Sequence, residues 1–121
     1  MLVQSEDKQI FSNKNIVKVS TEKKLVNNNF SLALAFKRNH VYTKEEKNIY
    51  QHIGVYAYKV NVLEKFIHLN QTKNEIENKL EQLRAIDNNF NINVSLAKST
   101  PIGIDTKEDY LALKKIMEYK S

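Results

Sequence analysis

Three short stretches of the chain carry side chains that could take part in polar chemistry. The first is His-Ile-Gly-Val-Tyr-Ala-Tyr at residues 52–58, which offers an imidazole and two phenols. The second is Leu-Glu-Gln-Leu-Arg-Ala at residues 80–85, with a carboxylate beside an amide and then a guanidinium. The third, Gly-Ile-Asp-Thr-Lys-Glu-Asp at residues 103–109, places an aspartate before a predicted helix. Together they outline a polar site suited to a sugar acid.

Asp105 is the candidate metal ligand. An isolated carboxylate can occupy one position around Mg²⁺, because magnesium needs only one or two protein carboxylates and takes phosphate oxygens and water for the rest. The alternative is that Asp105 caps the helix that follows and favours its positive end. Spacing alone favours the cap.

The other candidate side chains also have a structural alternative. A lone histidine such as His52 is more often a structural hydrogen-bond donor than a ligand or base, and Tyr56 could equally be packed. Glu81 and Gln82 on a helix would ordinarily be solvated. Arg84 could clamp a carboxylate or form a salt bridge, and the residues themselves favour neither.

Composition limits the class of protein. The 121 residues suffice for one domain with its own core, and 41% hydrophobic with 27% charged residues is typical of a soluble globular chain. The net charge of +5 is carried by 17 Lys and only 2 Arg, scattered among acidic residues. Nucleic-acid readers favour clustered arginine, so we expect no nucleic-acid partner. No apolar run reaches the length of a membrane span, and cysteine is absent, so a cytoplasmic location is the expectation.

Residue periodicity predicts an α/β fold with a mixed sheet of about four strands and three helices. Residues 1–15 are expected to be a loose N-terminal arm and residues 16–121 a single α/β domain. The predicted strands cover residues 16–19, 30–36, 52–59 and 90–96, and the predicted helices cover residues 61–69, 72–87 and the segment from residue 106 onward.

The same patterns predict faces and helix starts. Strict alternation puts Phe30, Leu32, Leu34 and Phe36 on one face of their strand, and His52 and Tyr56 on one face of theirs. The long helix should pack through Ile76, Leu80, Leu83 and Ile86. Two helices open with the spacing of a capping box, at Thr72 with Glu75 and at Thr106 with Asp109.

The order HIGxYAY, LEQLRA, GIDTxED resembles the C-terminal half of the 3-deoxy-manno-octulosonate cytidylyltransferases, the CMP-Kdo synthetases, over roughly residues 13–119. The resemblance implies the C-terminal portion of a nucleotide-diphospho-sugar-transferase-like fold. It also implies the reaction of CTP with Kdo to give CMP-Kdo and diphosphate, for lipopolysaccharide biosynthesis. In that family the matching His lines the sugar pocket and the matching Glu-Gln pair faces the sugar hydroxyls.

The resemblance therefore implies that His52, Tyr56, Glu81 and Gln82 bind the sugar, and that Asp105 binds Mg²⁺ together with an aspartate from the missing N-terminal half. The family's basic nucleotide-binding loop has no counterpart here, and Leu32 stands where the family tends to have an arginine. Two functions follow. The chain is either the sugar-binding and dimerising half of such an enzyme, inactive alone and reaching CTP only through another half, or a non-catalytic dimerising remnant or interaction module of the same fold.

Overall fold

A computed structural model describes residues 2–4, 13–39, 47–99 and 103–120. The elements occur in the order β1 (Leu2–Gln4), β2 (Lys18–Thr21), β3 (Ser31–Lys37), β4 (Ile49–Ile53), α1 (Val60–Ile67), α2 (Lys73–Asn78), α3 (Gln82–Asp87), β5 (Asn93–Leu96) and α4 (Lys107–Lys120). The predicted α/β class is confirmed.

The strands form a mixed arrangement with β2 between β3 and β4. β2 is antiparallel to both neighbours, and β1 is antiparallel to β4. β5 pairs antiparallel with β3 and parallel with β1, so the order β1-β4-β2-β3-β5 closes on itself. The described residues therefore contain five strands, against about four expected.

The hydrophobic core lies between the strands and the α2–α3 region. Its buried members are Val17, Val19, Leu25, Ala33, Phe36, Tyr50, Leu80, Leu83 and Val94, and the partly buried Ile86, Ile92 and Leu96 pack against them. Leu80 and Leu83 come from the helical segment, so their burial fixes that segment to the sheet. This attachment matters for function because Glu81 and Gln82 lie between these two leucines.

The face predicted for the third strand is wrong at Phe36. β3 pairs with β2 through Ala35 opposite Ser20 and Ala33 opposite Thr21, which leaves Leu34 as an extra residue. Such a bulge shifts the alternation by one residue. Phe36 is therefore buried, whereas Leu34 and Phe30 are exposed.

The predicted loose arm also differs, because Leu2–Gln4 pair with β4 and β5; residues 5–12 lie outside the described part of the chain.

The predicted helix over residues 72–87 is two helices. Its capping box is confirmed, since the Glu75 amide donates to Thr72 Oγ1 over 3.2 Å and Glu75 Oε2 accepts from the Thr72 amide over 3.3 Å. α2 then ends at Lys79, which adopts the left-handed conformation at φ 53° and ψ 47°. Because the break changes the buried face, Ile76 is exposed and Glu75 is buried.

Arg38 stabilises this break from the end of β3. Its Nε donates to the carbonyl oxygen of Asn78 over 3.0 Å, and its Nη2 donates to that of Lys79 over 3.1 Å. Carbonyls at the end of a helix have no partner within the helix, so an arginine can supply the donors. Sequence spacing gave no sign of this contact between residues so far apart.

The strand predicted over residues 52–59 ends at Ile53. The amide of Val55 donates to the carbonyl oxygen of Ile53 over 2.8 Å, which turns the chain before α1. His52 and Tyr56 are thus not neighbours on one strand face. Among the helices in the described ranges, none has the length and apolar character needed to cross a bilayer.

Candidate functional site

His52 and Tyr56 meet because the chain turns between them. His52 Nε2 and the Tyr56 hydroxyl share a hydrogen bond of 2.7 Å. On its other side, the imidazole meets the buried ring of Phe36 edge-on, with 5.7 Å between the ring centroids. The imidazole is therefore held between the core and the Tyr56 phenol.

The rings continue from this pair toward the helices. Tyr56 stacks on Tyr58 with 6.2 Å between centroids, and Tyr58 lies 5.9 Å from the ring of Phe66 on α1. The guanidinium carbon of Arg84 on α3 sits 4.9 Å from the centroid of Phe66. We call Phe36, His52, Tyr56, Tyr58 and Phe66 the aromatic row. It connects the sheet to the LEQLRA segment.

Glu81 acts on this row through its charge, and Gln82 is the next residue along the chain. The Glu81 side chain is exposed just before α3, and its negative charge contributes, after burial, to raising the pKa of both Tyr56 and Tyr58. Gln82 is 92% buried, and its Nε2 has no hydrogen-bond partner among the described residues. A buried amide donor without a partner is costly and uncommon, so it indicates a position where a ligand can accept.

The histidine and the phenols are uncharged at neutral pH. Burial, with help from the positive charge of Arg38, lowers the pKa of His52 to about 4. Burial first, and then Tyr58 and Glu81, raise the pKa of Tyr56. A neutral imidazole and a neutral phenol can each donate and accept, which suits hydroxyl groups.

Asp105 lies outside this cluster. Within the described ranges, no hydrogen bond or ion pair joins its carboxylate to the other four candidates. The capping role at α4 belongs to Asp109, whose Oδ2 accepts from the amides of Asp105 and Thr106, each over 3.1 Å. These backbone bonds lower the pKa of Asp109. The cap is therefore complete without the Asp105 carboxylate, which is exposed and available to a ligand.

No group of three or more metal-capable side chains occurs among the residues that the structure describes. The magnesium assignment of Asp105 remains a prediction, and one carboxylate is compatible with it because Mg²⁺ retains water and phosphate oxygens.

A cavity of about 470 Å³ runs along α4, lined by Ile104, Tyr110, Leu113, Lys114, Met117 and Glu118. None of the five candidate residues lines it, so we assign the polar site to the aromatic row.

The sequence missed one ion pair that belongs to this site. Arg84 donates from Nη2 to Glu75 Oε1 over 2.5 Å and from Nε to Glu75 Oε2 over 2.8 Å, with both side chains largely buried. The sequence left the partner of Arg84 open, and the structure identifies it as Glu75. The sequence does contain a usable signal, because the capping-box glutamate, Glu75, is followed nine residues later by an arginine, Arg84.

Comparison with known proteins identifies similar sequences. A 3-deoxy-manno-octulosonate cytidylyltransferase of Psychrobacter cryohalolentis is 38% identical over 117 residues, which covers 86% of this chain and 42% of the relative. The enzyme of the same name from Rickettsia rickettsii is 38% identical over 103 residues, or 85% of this chain and 41% of the relative. No protein-family model matches the chain. The chain belongs to the 3-deoxy-manno-octulosonate cytidylyltransferase family.

A solved structure of CMP:2-keto-3-deoxy-manno-octonic acid synthetase complexed with CTP shares the fold of this family member. The TM-score is 0.83 at 24% identity, over 99% of this chain and 48% of that one. The chain spans less than half the length of these relatives.

Acidification should weaken the fold through His52. Between pH 4 and pH 6.5, the unfolded chain binds a proton at this imidazole that the folded chain does not, so the free energy of unfolding rises with pH. The contribution is complete above pH 6.5 and is lost as the pH falls. We expect a loss of about 2 kcal/mol between pH 6.5 and pH 5, measured by urea denaturation.

His52→Gln is the control, since it keeps a polar side chain without this titration. The variant should show little change in stability over the same interval. Glu75 and Asp109 also have altered pKa values, but theirs are lowered from 4.5 and 3.8, so their stabilisation is lost only below the interval. An equal pH dependence in both proteins would contradict the assignment.

Proposed function

We propose that this chain supplies the acid-sugar-binding part of a cytidylyltransferase that joins CTP and Kdo to form CMP-Kdo and diphosphate. The proposal rests on the His52–Tyr56 pair, on whose phenol the Glu81 charge acts, and on the unpartnered amide of Gln82, the next residue along the chain. A polyhydroxylated acid offers both the acceptors and the donors that these groups lack. Family membership supports the same substrates.

Each side chain has a role in this proposal. Gln82 Nε2 donates to a sugar oxygen, and the Glu81 carboxylate accepts from a hydroxyl. The His52–Tyr56 pair orients a second hydroxyl without carrying charge. Bound Mg²⁺, held in part by Asp105, would neutralise phosphate charge. What this chain contributes is orientation of the sugar, since well-aligned reactants account for a large part of such catalysis.

The chain requires a nucleotide-binding half for activity in this proposal. Its two glycines leave no room for a glycine-rich phosphate loop, and the solved relative that was bound to CTP is twice as long. We propose that the chain works as a homodimer or with such a half, in the cytoplasm. The second candidate is a non-catalytic dimerising module, which is favoured by Leu32, by the exposed Leu34 on β3 and by the exposed Phe30 just before this strand.

A thermal-shift titration separates the two candidates. Saturating Kdo with Mg²⁺ should raise the melting temperature of the chain by roughly 10 °C, because a ligand present at a hundred times its Kd stabilises by about 2.7 kcal/mol. Asp105→Asn should keep the starting melting temperature and the response to Kdo, and should lose any further increment from Mg²⁺. Glu108→Gln, which changes an exposed carboxylate nearby, is the matched control.

The absence of any response to Kdo would favour the non-catalytic module. Adding the nucleotide-binding half of a relative provides the second measurement. The mixture should then release diphosphate from CTP and Kdo, whereas the chain alone should not.

A further inference from the structure

The LEQLRA segment is held by a joint between α2 and α3. The joint consists of Glu75, Arg84 and Phe66, in which Arg84 binds Glu75 through two hydrogen bonds and stacks on the Phe66 ring. Only 6% of the Glu75 side chain and 14% of the Arg84 side chain are exposed. The joint spans the left-handed break at Lys79 and so connects the two helices on either side of it.

The contacts of Arg84 require the planar shape of its guanidinium group. The planar group binds both carboxylate oxygens of Glu75 and presents its face to Phe66 at the same time. Glu81 and Gln82 lie on the same short segment as Arg84, so the contact fixes the direction in which they point. Phe66 also touches Tyr58, which ties this orientation to the aromatic row.

We propose that Arg84 is a positioning residue for the sugar site: it touches no sugar, and through Glu75 and Phe66 it holds the segment that carries Glu81 and Gln82 in place beside the aromatic row. The effect of Arg84 on sugar binding rests on the proposed function. The positioning of Glu81 by Arg84 is independent of that function and can be measured in the protein without any ligand.

The ligand-free readout is the phenol titration of Tyr58, followed by NMR with labelled tyrosine. Glu81 raises the pKa of this phenol and Arg84 lowers it. In Arg84→Met, loss of the positive charge alone would raise that pKa, whereas movement of Glu81 away from the row would lower it. Because these two effects oppose each other in Arg84→Met, the decisive prediction is a fall of the Tyr58 pKa in Glu75→Gln, which leaves the Arg84 charge in place.

A double-mutant cycle distinguishes positioning from general loosening. In the Glu81→Gln background, Glu75→Gln should cause no further fall, because there is no carboxylate left to displace. A further fall of equal size would mean that Tyr58 is merely more exposed, and it would overturn the proposal. Glu77→Gln is the matched control, since Glu77 forms an exposed ion pair with Lys73 on the same helix and should leave the titration unchanged.

The sugar measurement completes the test. In a chain that binds Kdo, Glu75→Gln and Arg84→Lys should weaken binding by about tenfold or more, because small misplacements of binding groups are costly. Although Arg84→Lys keeps the positive charge, it should not preserve the affinity for Kdo, since an ammonium cannot bind both carboxylate oxygens of Glu75 as a guanidinium does. Unchanged affinity in both variants would overturn the proposal. If the unmodified chain binds no Kdo, the proposed function fails, and the Tyr58 titration still decides whether Arg84 positions Glu81.

Discussion

Lys18→Ala should lower the melting temperature of the chain by roughly 10 °C, equivalent to about 3 kcal/mol of unfolding free energy. Lys18 lies on the central strand β2 and is only 2% exposed. Its Nζ donates to the carbonyl oxygens of Asn13 and Arg38, each over 2.6 Å. Alanine would remove both donors and the buried stem.

The position of Lys18 disfavours its positive charge. Burial first, and then the charge of Arg38, lower its pKa from the ordinary 10.5. The side chain is retained because it connects the turn at Asn13 with the end of β3, from which Arg38 reaches the α2–α3 break. Loss of Lys18 should therefore loosen the support of the LEQLRA segment as well as the sheet.

Lys18→Met separates packing from hydrogen bonding. It keeps most of the buried stem but has no donor, so it should lose clearly less stability than Lys18→Ala. Lys37→Met is the matched control, because Lys37 pairs with Lys18 across β2 and β3 but its side chain is exposed. Calorimetry of the four proteins measures the effect, and a melting temperature for Lys18→Ala within about 2 °C of the control would contradict it.

Local signals in the sequence were sufficient for the features that depend on local chemistry. The capping boxes at Thr72 and Thr106 were predicted from a threonine and an acidic residue three positions later, and both are present. The strand predicted over residues 90–96 is shorter in the structure, at Asn93–Leu96, and its alternation holds only in part, because Ser95 is buried as well as Val94. A capping box is complete within four residues and therefore depends little on distant contacts, whereas strand alternation can be shifted by pairing, as the bulge at Leu34 shows.

Features that depend on distant contacts were not predictable. Lys79 carries no turn signal, and its left-handed conformation accompanies two hydrogen bonds from Arg38, forty residues earlier. The burial of Glu75 requires Arg84, which was placed on the same continuous helix. The candidate site follows the same rule: its polar residues were named from the sequence and their binding roles stay predictions, while their geometry depends on the turn after Ile53 and the break at Lys79.

Gln82→Met should change the stability and the sugar affinity of the chain in opposite directions. In the free chain, Nε2 of Gln82 is buried without a partner among the described residues. An unpartnered buried donor costs roughly 1–3 kcal/mol, and methionine has a similar length with no such group. The variant should therefore melt higher than the unmodified chain, by about 4 °C or more.

The same change should weaken Kdo binding about a hundredfold, because a site built to pair a polar group discriminates strongly once that pair is lost. Calorimetric titration with Kdo and a thermal melt of the free protein measure the two effects. Glu64→Met is the control, since Glu64 is exposed on α1 and should alter neither quantity. A higher melting temperature with unchanged affinity would mean that Gln82 is only a packing defect, and it would contradict the role of Gln82 in the proposed sugar site.

A substitution that raises stability and lowers affinity is expected where a side chain serves binding although it destabilises the free protein. Most substitutions of buried residues lower stability, so a gain at this position needs a specific cause. Binding sites commonly retain groups that the free protein leaves unsatisfied, because their partner arrives with the ligand. Gln82 lies in the chain between the buried Leu80 and Leu83. It meets that description better than any other described residue, since no other buried side-chain donor or acceptor in the described ranges lacks a partner.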